Sequence, residues 1–278
     1  MSKFINTTVI GLTIGILFVV GAVIVTGEPT LFWNLPSAFI IIGGTVAAII
    51  TSFPLTRLKT FGSVGKKAFK KEEYNLEEDI LTLVKISELS RKEGLLALED
   101  SVDDLTEDDF IRKGIRFIVD GADEEQLRNL LEGSTYFMKQ RHQKGASIFE
   151  MIASIAPSLG LLGTYVGLIP MLNNLDDATA LGPMMALELV SSFYGAFIAY
   201  VIFSPLARRL KSMSKEEEYR REILIEGLAD IHQGKNPRLI LEELCAFANI
   251  TIDTEKSAEK EKAEEIPVNP AFKAKGMA

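Results

Sequence analysis

The sequence predicts an all-α membrane protein: four transmembrane helices, a helical cytoplasmic domain between helices 2 and 3, and a cytoplasmic C-terminal helix after the fourth. Three observations carry this reading. Four apolar stretches, roughly Ile5–Val25, Trp33–Phe53, Ala146–Met171 and Leu187–Ala207, each supply the ~20 residues that cross a ~30 Å hydrocarbon core. They fall in two pairs around a polar, charged segment of about ninety residues. Lysine and arginine gather on one side of the spans only. The net charge of -8 over 278 residues averages an apolar part with an acidic polar part, so it classifies neither.

The first stretch reads as a span rather than a cleaved leader. It has one early basic residue, Lys3, and no small-x-small cleavage site ahead of Gly27-Glu28-Pro29, and it leads directly into the second span. The first two spans look built for packing: Thr7, Thr8, Thr13 and Thr45 can bond their own backbone, and Gly43-Gly44 permits a close helix approach. Arg57, Lys59, Lys66, Lys67, Lys70 and Lys71 follow the second span. Lys139, Arg141 and Lys144 precede the third, and Arg208, Arg209, Lys211 and Lys215 follow the fourth. The short connections Gly27–Leu31 and Asn173–Pro183 contain no Lys or Arg but hold Glu28, Asp176 and Asp177. The positive-inside rule therefore puts both termini and the middle segment in the cytoplasm.

From Leu76 to about Leu131 the apolar residues Ile80, Leu83, Val84, Leu95 and Leu98 recur at helical spacing, with Ser87 on the same pattern. Gly94, Gly114 and Gly121 are expected to mark turns or helix ends. A charged helix from Ser214 carries Ile223, Leu224, Gly227, Leu228 and Ile231, stops near Gly234-Lys235-Asn236-Pro237, and is followed by a second short helix. The middle segment and this extension should form one compact unit, since neither alone offers much core. From about Asp253 the chain is rich in Lys, Glu and Ala without apolar period and is expected to be disordered. The expected division is 1–53 for the first two spans, 54–145 for the cytoplasmic domain, 146–207 for the last two spans, 208–252 for the extension and 253–278 for the tail.

The third and fourth spans carry the candidate functional residues. In the third, Pro157 is expected to break the backbone ladder, and Gly160, Gly163 and Gly167 share one stripe with Thr164, the one hydroxyl in mid-span. In the fourth, Ser191, Ser192, Tyr194 and Gly195 lie within about a turn, Glu188 precedes Ser192 by four, and Pro205 sits at the cytoplasmic end. Small residues and hydroxyls on two adjacent spans form a seam expected to hold a partner helix and an ion; ordinary close packing is the competing account. No span has an ionisable residue at its centre, and Glu188 lies at an outer edge. Ion conduction would therefore need a charge from another chain.

Enzyme chemistry finds no support. The single cysteine, Cys245, lies in an apolar run and excludes an internal disulfide. The two histidines, His142 and His232, sit in charged contexts without metal-ligand spacing, so no permanently bound metal and no cofactor is expected.

Three blocks then resemble the MotA/PomA family, the channel-side subunits of bacterial flagellar stators: Glu88–Asp100, Ala156–Asp177 and Leu181–Ala207. Shorter matches at Phe117–Asp123, Arg141–Glu150 and Glu226–Arg238 extend the resemblance over nearly the whole chain except the tail. It implies a pentamer in the bacterial inner membrane around a MotB/PomB-type partner, a single-span peptidoglycan-binding subunit with an essential Asp. Passage of H+ or Na+ past that Asp would drive rotation and turn the rotor through FliG. Arg91 and Glu99 match the family's rotor-facing charges, with Lys92, Glu93 and Glu88 beside them. Pro157 and Pro205 match its two channel prolines. Thr164 matches a hydroxyl position of sodium-type members and tips the expected ion towards Na+, a hard cation that takes oxygen ligands. Ser191 and Ser192 stand where those members have Thr-Thr, and Glu188 where relatives have a small or neutral residue. The alternative is an ExbB/TolQ-type energiser of an outer-membrane machine; four spans and the Glu88–Asp100 block weigh against it. A lone transporter lacks inverted repeats and a central charge here.

Overall fold

In hydrocarbon every backbone N–H and C=O must find its partner inside the segment, so apolar runs of this length are driven to helix. The computed structural model describes residues 7–70 and 74–252. Lys3, Lys71, the start of the first apolar stretch at Ile5 and the tail expected to be disordered from Asp253 lie outside the described residues. Among the described residues the chain is helical and contains no strand, and four helices are long and apolar enough to cross a membrane. The chain divides into two compact units. One takes residues 7–74 and 133–219, the other 75–132 and 220–252, within the described residues.

In the first unit, α1 (Thr7–Val25) has no buried residue, and Leu17, Phe18 and Val25 are exposed on it. A helix apolar all round requires lipid or another chain about it. The second span begins with the turn Pro29–Phe32 and α2 (Leu35–Ala38), passes through a wide π segment Phe39–Gly43, and ends as α3 (Gly44–Ser52). Asn34 caps α2 by accepting the Ser37 amide at 3.0 Å. Thr45, expected to bond its own backbone, is buried with no hydrogen-bond partner for its hydroxyl. The short helices α4 (Leu55–Leu58) and α5 (Phe61–Ala68) follow.

The second unit opens with α6 (Leu76–Glu93), α7 (Ala97–Leu105) and α8 (Asp109–Val119). The 50-residue α9 (Glu124–Asn173) supplies residues to both units, and so does the run of α10 (Ala178–Ala196), the π segment Phe197–Phe203 and α11 (Ser204–His232). Helix α12 (Pro237–Ala248) closes the described chain, capped at its start by Asn236 and at its end by left-handed Asn249. Pro157 and Pro170 lie inside α9, which continues through both; each removes one ladder bond, as expected of Pro157, and packed neighbours can hold the helix across it. One expectation is corrected. Gly114 is in mid-helix and not at a turn, whereas Gly94 and Gly121 do adopt positive φ at helix ends. Gly114 is selected by packing: a methyl there would stand 2.4 Å from Leu228 Cδ1.

The core of the second unit joins the middle segment to the extension. Leu83 and Ile86 of α6, Ile111 and Ile115 of α8, Leu224 and Leu228 of α11, and Ile240 and Leu244 of α12 are all at most 1% exposed. A polar clasp spans the same helices. Arg220 donates to Asp79 at 2.6 and 2.7 Å and to Asp108 at 2.7 Å, and Asp108 also caps α8 through the amides of Phe110 and Ile111. Burial opposes the Asp108 carboxylate, but the Arg220 guanidinium and the two amides outweigh it and hold the group below the usual aspartate range. Removing Arg220 strands two largely buried carboxylates, so Arg220→Met should destabilise the second unit by about 3–5 kcal/mol. Because Asp108 is depressed in the fold, the loss should be full at neutral pH and shrink as pH falls below the ordinary aspartate value of 3.8. Thermal midpoints of purified wild type and variant across pH check both.

Candidate functional site

The glycine stripe of the third span is filled. Added methyls at Gly160, Gly163 and Gly167 would meet Ser191 O at 3.1 Å, the Ser191 side chain at 2.5 Å and Met184 O at 2.9 Å, respectively. From the other side, a methyl at Gly195 would stand 2.6 Å from Ala156 O and 3.1 Å from Gly160 Cα. The backbones of α9 and α10 therefore approach as closely as glycine allows. The stripe's occupant differs from the partner helix expected: it is the chain's own fourth span. The physical reason is that two glycine-bearing faces in one chain meet without the entropy cost of association. Gly44 of the expected Gly43-Gly44 pair packs likewise, with an added methyl 3.0 Å from Leu159.

The hydroxyl residues divide. Ser191 is fully buried and donates to Ser37 Oγ at 3.0 Å. Ser37 Oγ in turn has Asn34 Oδ1 at 3.0 Å and Leu187 O at 3.3 Å to share its one proton. Tyr194 donates its phenol to Phe32 O and accepts the Asn34 amide at 3.4 Å. Ser191 and Tyr194 thus bind the fourth span to the entry of the second. Ser192, one residue on, is exposed. Thr164 is half-buried and donates to Leu161 O of its own helix at 2.7 Å, which leaves its oxygen lone pairs as acceptors. Pro157 and Glu188 are half-buried and Pro205 is exposed. So Gly160, Gly163, Gly167 and Ser191 come together in the seam, while Thr164 and Ser192 face away from full burial. Sequence reasoning missed Ser37 and Asn34. The run Asn34-Leu35-Pro36-Ser37 carried the signal, an Asn cap with proline in the first turn.

Pro205 has no N–H for the carbonyl of Val201, and the wide π turn Phe197–Phe203 lies directly before it. Such turns displace a helix face by one residue and concentrate at functional sites.

The second candidate set lies in the other unit. Arg91, Lys92 and Glu93 occupy the last turn of α6, Glu99 lies in α7, and the positive-φ Gly94 separates them. All four charges are exposed. Lys92 stands 4.0 Å from Glu88, an exposed pair of little energetic weight. Among the described residues neither Arg91 nor Glu99 has an ion-pair partner, and between them Leu96 is 74% exposed. Among the described residues no group of three His, Cys, Asp or Glu is placed to hold a metal.

Residues 102–223 match the MotA/TolQ/ExbB proton channel family, and residues 9–94 match the motility protein A N-terminal family. The uncharacterized protein YtxD of Bacillus subtilis (strain 168) is 37% identical over 252 residues, 90% of this chain and 92% of that protein. Motility protein A of Treponema phagedenis is 36% identical over 236 residues, 85% of this chain and 91% of that protein. The flagellar MotAB stator complex from Bacillus subtilis contains a chain of like structure, with a TM-score of 0.79 at 31% identity over 91% of this chain and 98% of that one.

The seam predicts two glycine substitutions of opposite sign. Gly195→Ala drives a methyl into the Ala156 carbonyl and should destabilise by about 1–3 kcal/mol. Gly133→Ala, also inside a long helix but with nothing within 4 Å of the new methyl, should stabilise by about 0.5–1 kcal/mol. Thermal midpoints in one detergent compare them.

Proposed function

Since the chain belongs to the MotA/TolQ/ExbB proton channel family, we propose that it is the channel-side subunit of a flagellar stator, converting the passage of a cation into torque. The observation that carries this is likeness to the MotAB stator chain over nearly the whole length, both spans and soluble helices included. The match of residues 9–94 to the motility protein A N-terminal family favours this over an ExbB/TolQ-type energiser.

The physics of the spans supports a divided channel. A relay across hydrocarbon needs a titratable or charged group on its path. The described spans have none at their centres; a MotB/PomB-type partner helix, several copies of this chain about it, supplies the carboxylate. The chain is a channel component and not a catalyst in this reading. The one-sided Lys and Arg distribution supports cytoplasmic termini and a cytoplasmic second unit.

The seam sets the roles of the remaining residues. Gly160, Gly163, Gly167 and Ser191 lock the third and fourth spans together, and Tyr194 ties them to the second. Thr164, Ser192 and Pro157 are then left to face the path, with Pro205 shaping the fourth span and Glu188 attracting cations at the outer end. The ion is H+ or Na+. The family's description speaks for the proton, and the Thr164 lone pairs suit Na+. Arg91, Lys92, Glu93 and Glu99 meet the rotor protein FliG. Exposed charges, Arg91 and Glu99 without an ion-pair partner among the described residues, steer and register a contact with little net affinity, which suits a gear that must release each step.

Co-expression with an Asp-bearing single-span partner should yield cation flux in vesicles, and this chain alone should yield none; flux from the chain alone refutes the divided channel. Thr164→Ala should slow Na+-driven rotation more than H+-driven rotation, and swimming speed unchanged in sodium-free medium at constant proton-motive force rejects Na+. Arg91→Glu should reduce torque with assembly intact, and a reversed charge on the rotor should restore part of it.

A further inference from the structure

A cavity of about 490 Å³ opens in the first unit where the second, third and fourth spans leave their apolar segments. Its walls come from α4, α5, α9 and α11, and four cations line it: Arg57, Lys67, Arg141 and Lys144. Neighbouring cations behave differently. Lys139 is engaged by Glu218 at 2.5 Å and Lys211 by Glu150. Among the described residues none of the four cavity cations has a carboxylate partner, and Arg57 merely lies over the Phe53 ring at 5.7 Å. The one carboxylate in the lining, Glu217, stands 3.8 Å from His142 Nδ1 and leaves a strong positive excess.

The lining also has the other parts of a headgroup site. Ser214 adds a hydroxyl, while Thr60 and Ser63 donate theirs to the carbonyls of Arg57 and Thr60, and Val64, Leu210 and Met213 form an apolar wall. The frame is rigid. Ala68, Phe149, Leu206 and Ala207 form a buried cluster that pins α5 to α9 and α11, and Phe61 stacks on Phe149 at 4.7 Å. A methyl added at Gly145 would lie 3.2 Å from Val64, so α5 and α9 are in close contact at the cavity itself.

We propose that this cavity binds the phosphodiester of an anionic phospholipid of the cytoplasmic leaflet. Four unpaired cations match a phosphate, and two of them are guanidinium forks suited to its oxygens. Basic pockets between spans at this depth meet lipid headgroups, and the apolar wall accommodates the glycerol stem. The assignment rests on the membrane orientation proposed above but requires neither an ion-conducting partner nor a rotor.

The test is native mass spectrometry of the full chain purified in nonionic detergent, with phosphatidylglycerol and phosphatidylcholine offered in equal amount. Retention of phosphatidylglycerol over phosphatidylcholine is expected. Each cavity cation removed should lower its occupancy about fivefold, so the double variant Lys67→Gln, Arg141→Gln should lose at least tenfold. The matched variant Lys59→Gln, Lys66→Gln removes two exposed cations outside the cavity and should retain wild-type occupancy. Equal loss in both variants, or equal retention of the two lipids, overturns the proposal. Millimolar inorganic phosphate raising the thermal midpoint where phosphatidylglycerol does not would assign the cavity to free phosphate and overturn the lipid. Absence of cation flux with the lipid retained would defeat the stator reading alone, so the two failures are distinguishable.

Discussion

The contact on which the membrane part of this protein depends is the approach of Gly195 to the backbone of Ala156 and Gly160. Between helices in lipid, the hydrophobic effect supplies little drive, because a lipid tail is as apolar as leucine. Close backbone contact and hydrogen bonds must supply the association. Glycines on both faces allow the first, and the buried Ser191–Ser37 bond supplies the second. The third and fourth spans thereby act as a single ribbon, and the second span is sewn to it by Tyr194 and Asn34.

Once those groups are used for cohesion, the chemistry left for a path is sparse. Thr164 keeps its lone pairs, Ser192 is exposed on the isolated chain, and no span carries a carboxylate at its centre. A surface this poor in charge suits a sleeve that guides an ion without trapping it. The prolines fit that view. Pro157 lies within the continuous α9, whereas Pro205 follows a wide π turn, so the same residue type sits in a regular helix in one span and beside an offset in the other.

In the second unit the balance is reversed. Its core is conventional, with aliphatic side chains from α6, α8, α11 and α12 interlocked around Leu83 and Leu224, and a buried three-residue clasp around Arg220. Such a core leaves the last turn of α6 and the start of α7 free to carry exposed charges that do no structural work. Arg91 and Glu99 gain nothing from each other or from neighbours, which is the condition for presenting charge to a transient partner.

The sequence by itself determined the four spans, the turn glycines at Gly94 and Gly121, and the stop at Gly234 before Pro237. All of these are local: run length and backbone permissiveness act within a few residues. It also named the residues of the seam, since glycines at helical spacing declare a close approach. What met that stripe was decided only by the tertiary structure. Ser191 and Ser192 are adjacent and chemically identical, yet one is sealed against Ser37 and the other is exposed; Gly114 looks like a breaker and serves as a contact. Burial is a property of the partner surface, which lies some 150 residues away in the chain, and no local pattern encodes it.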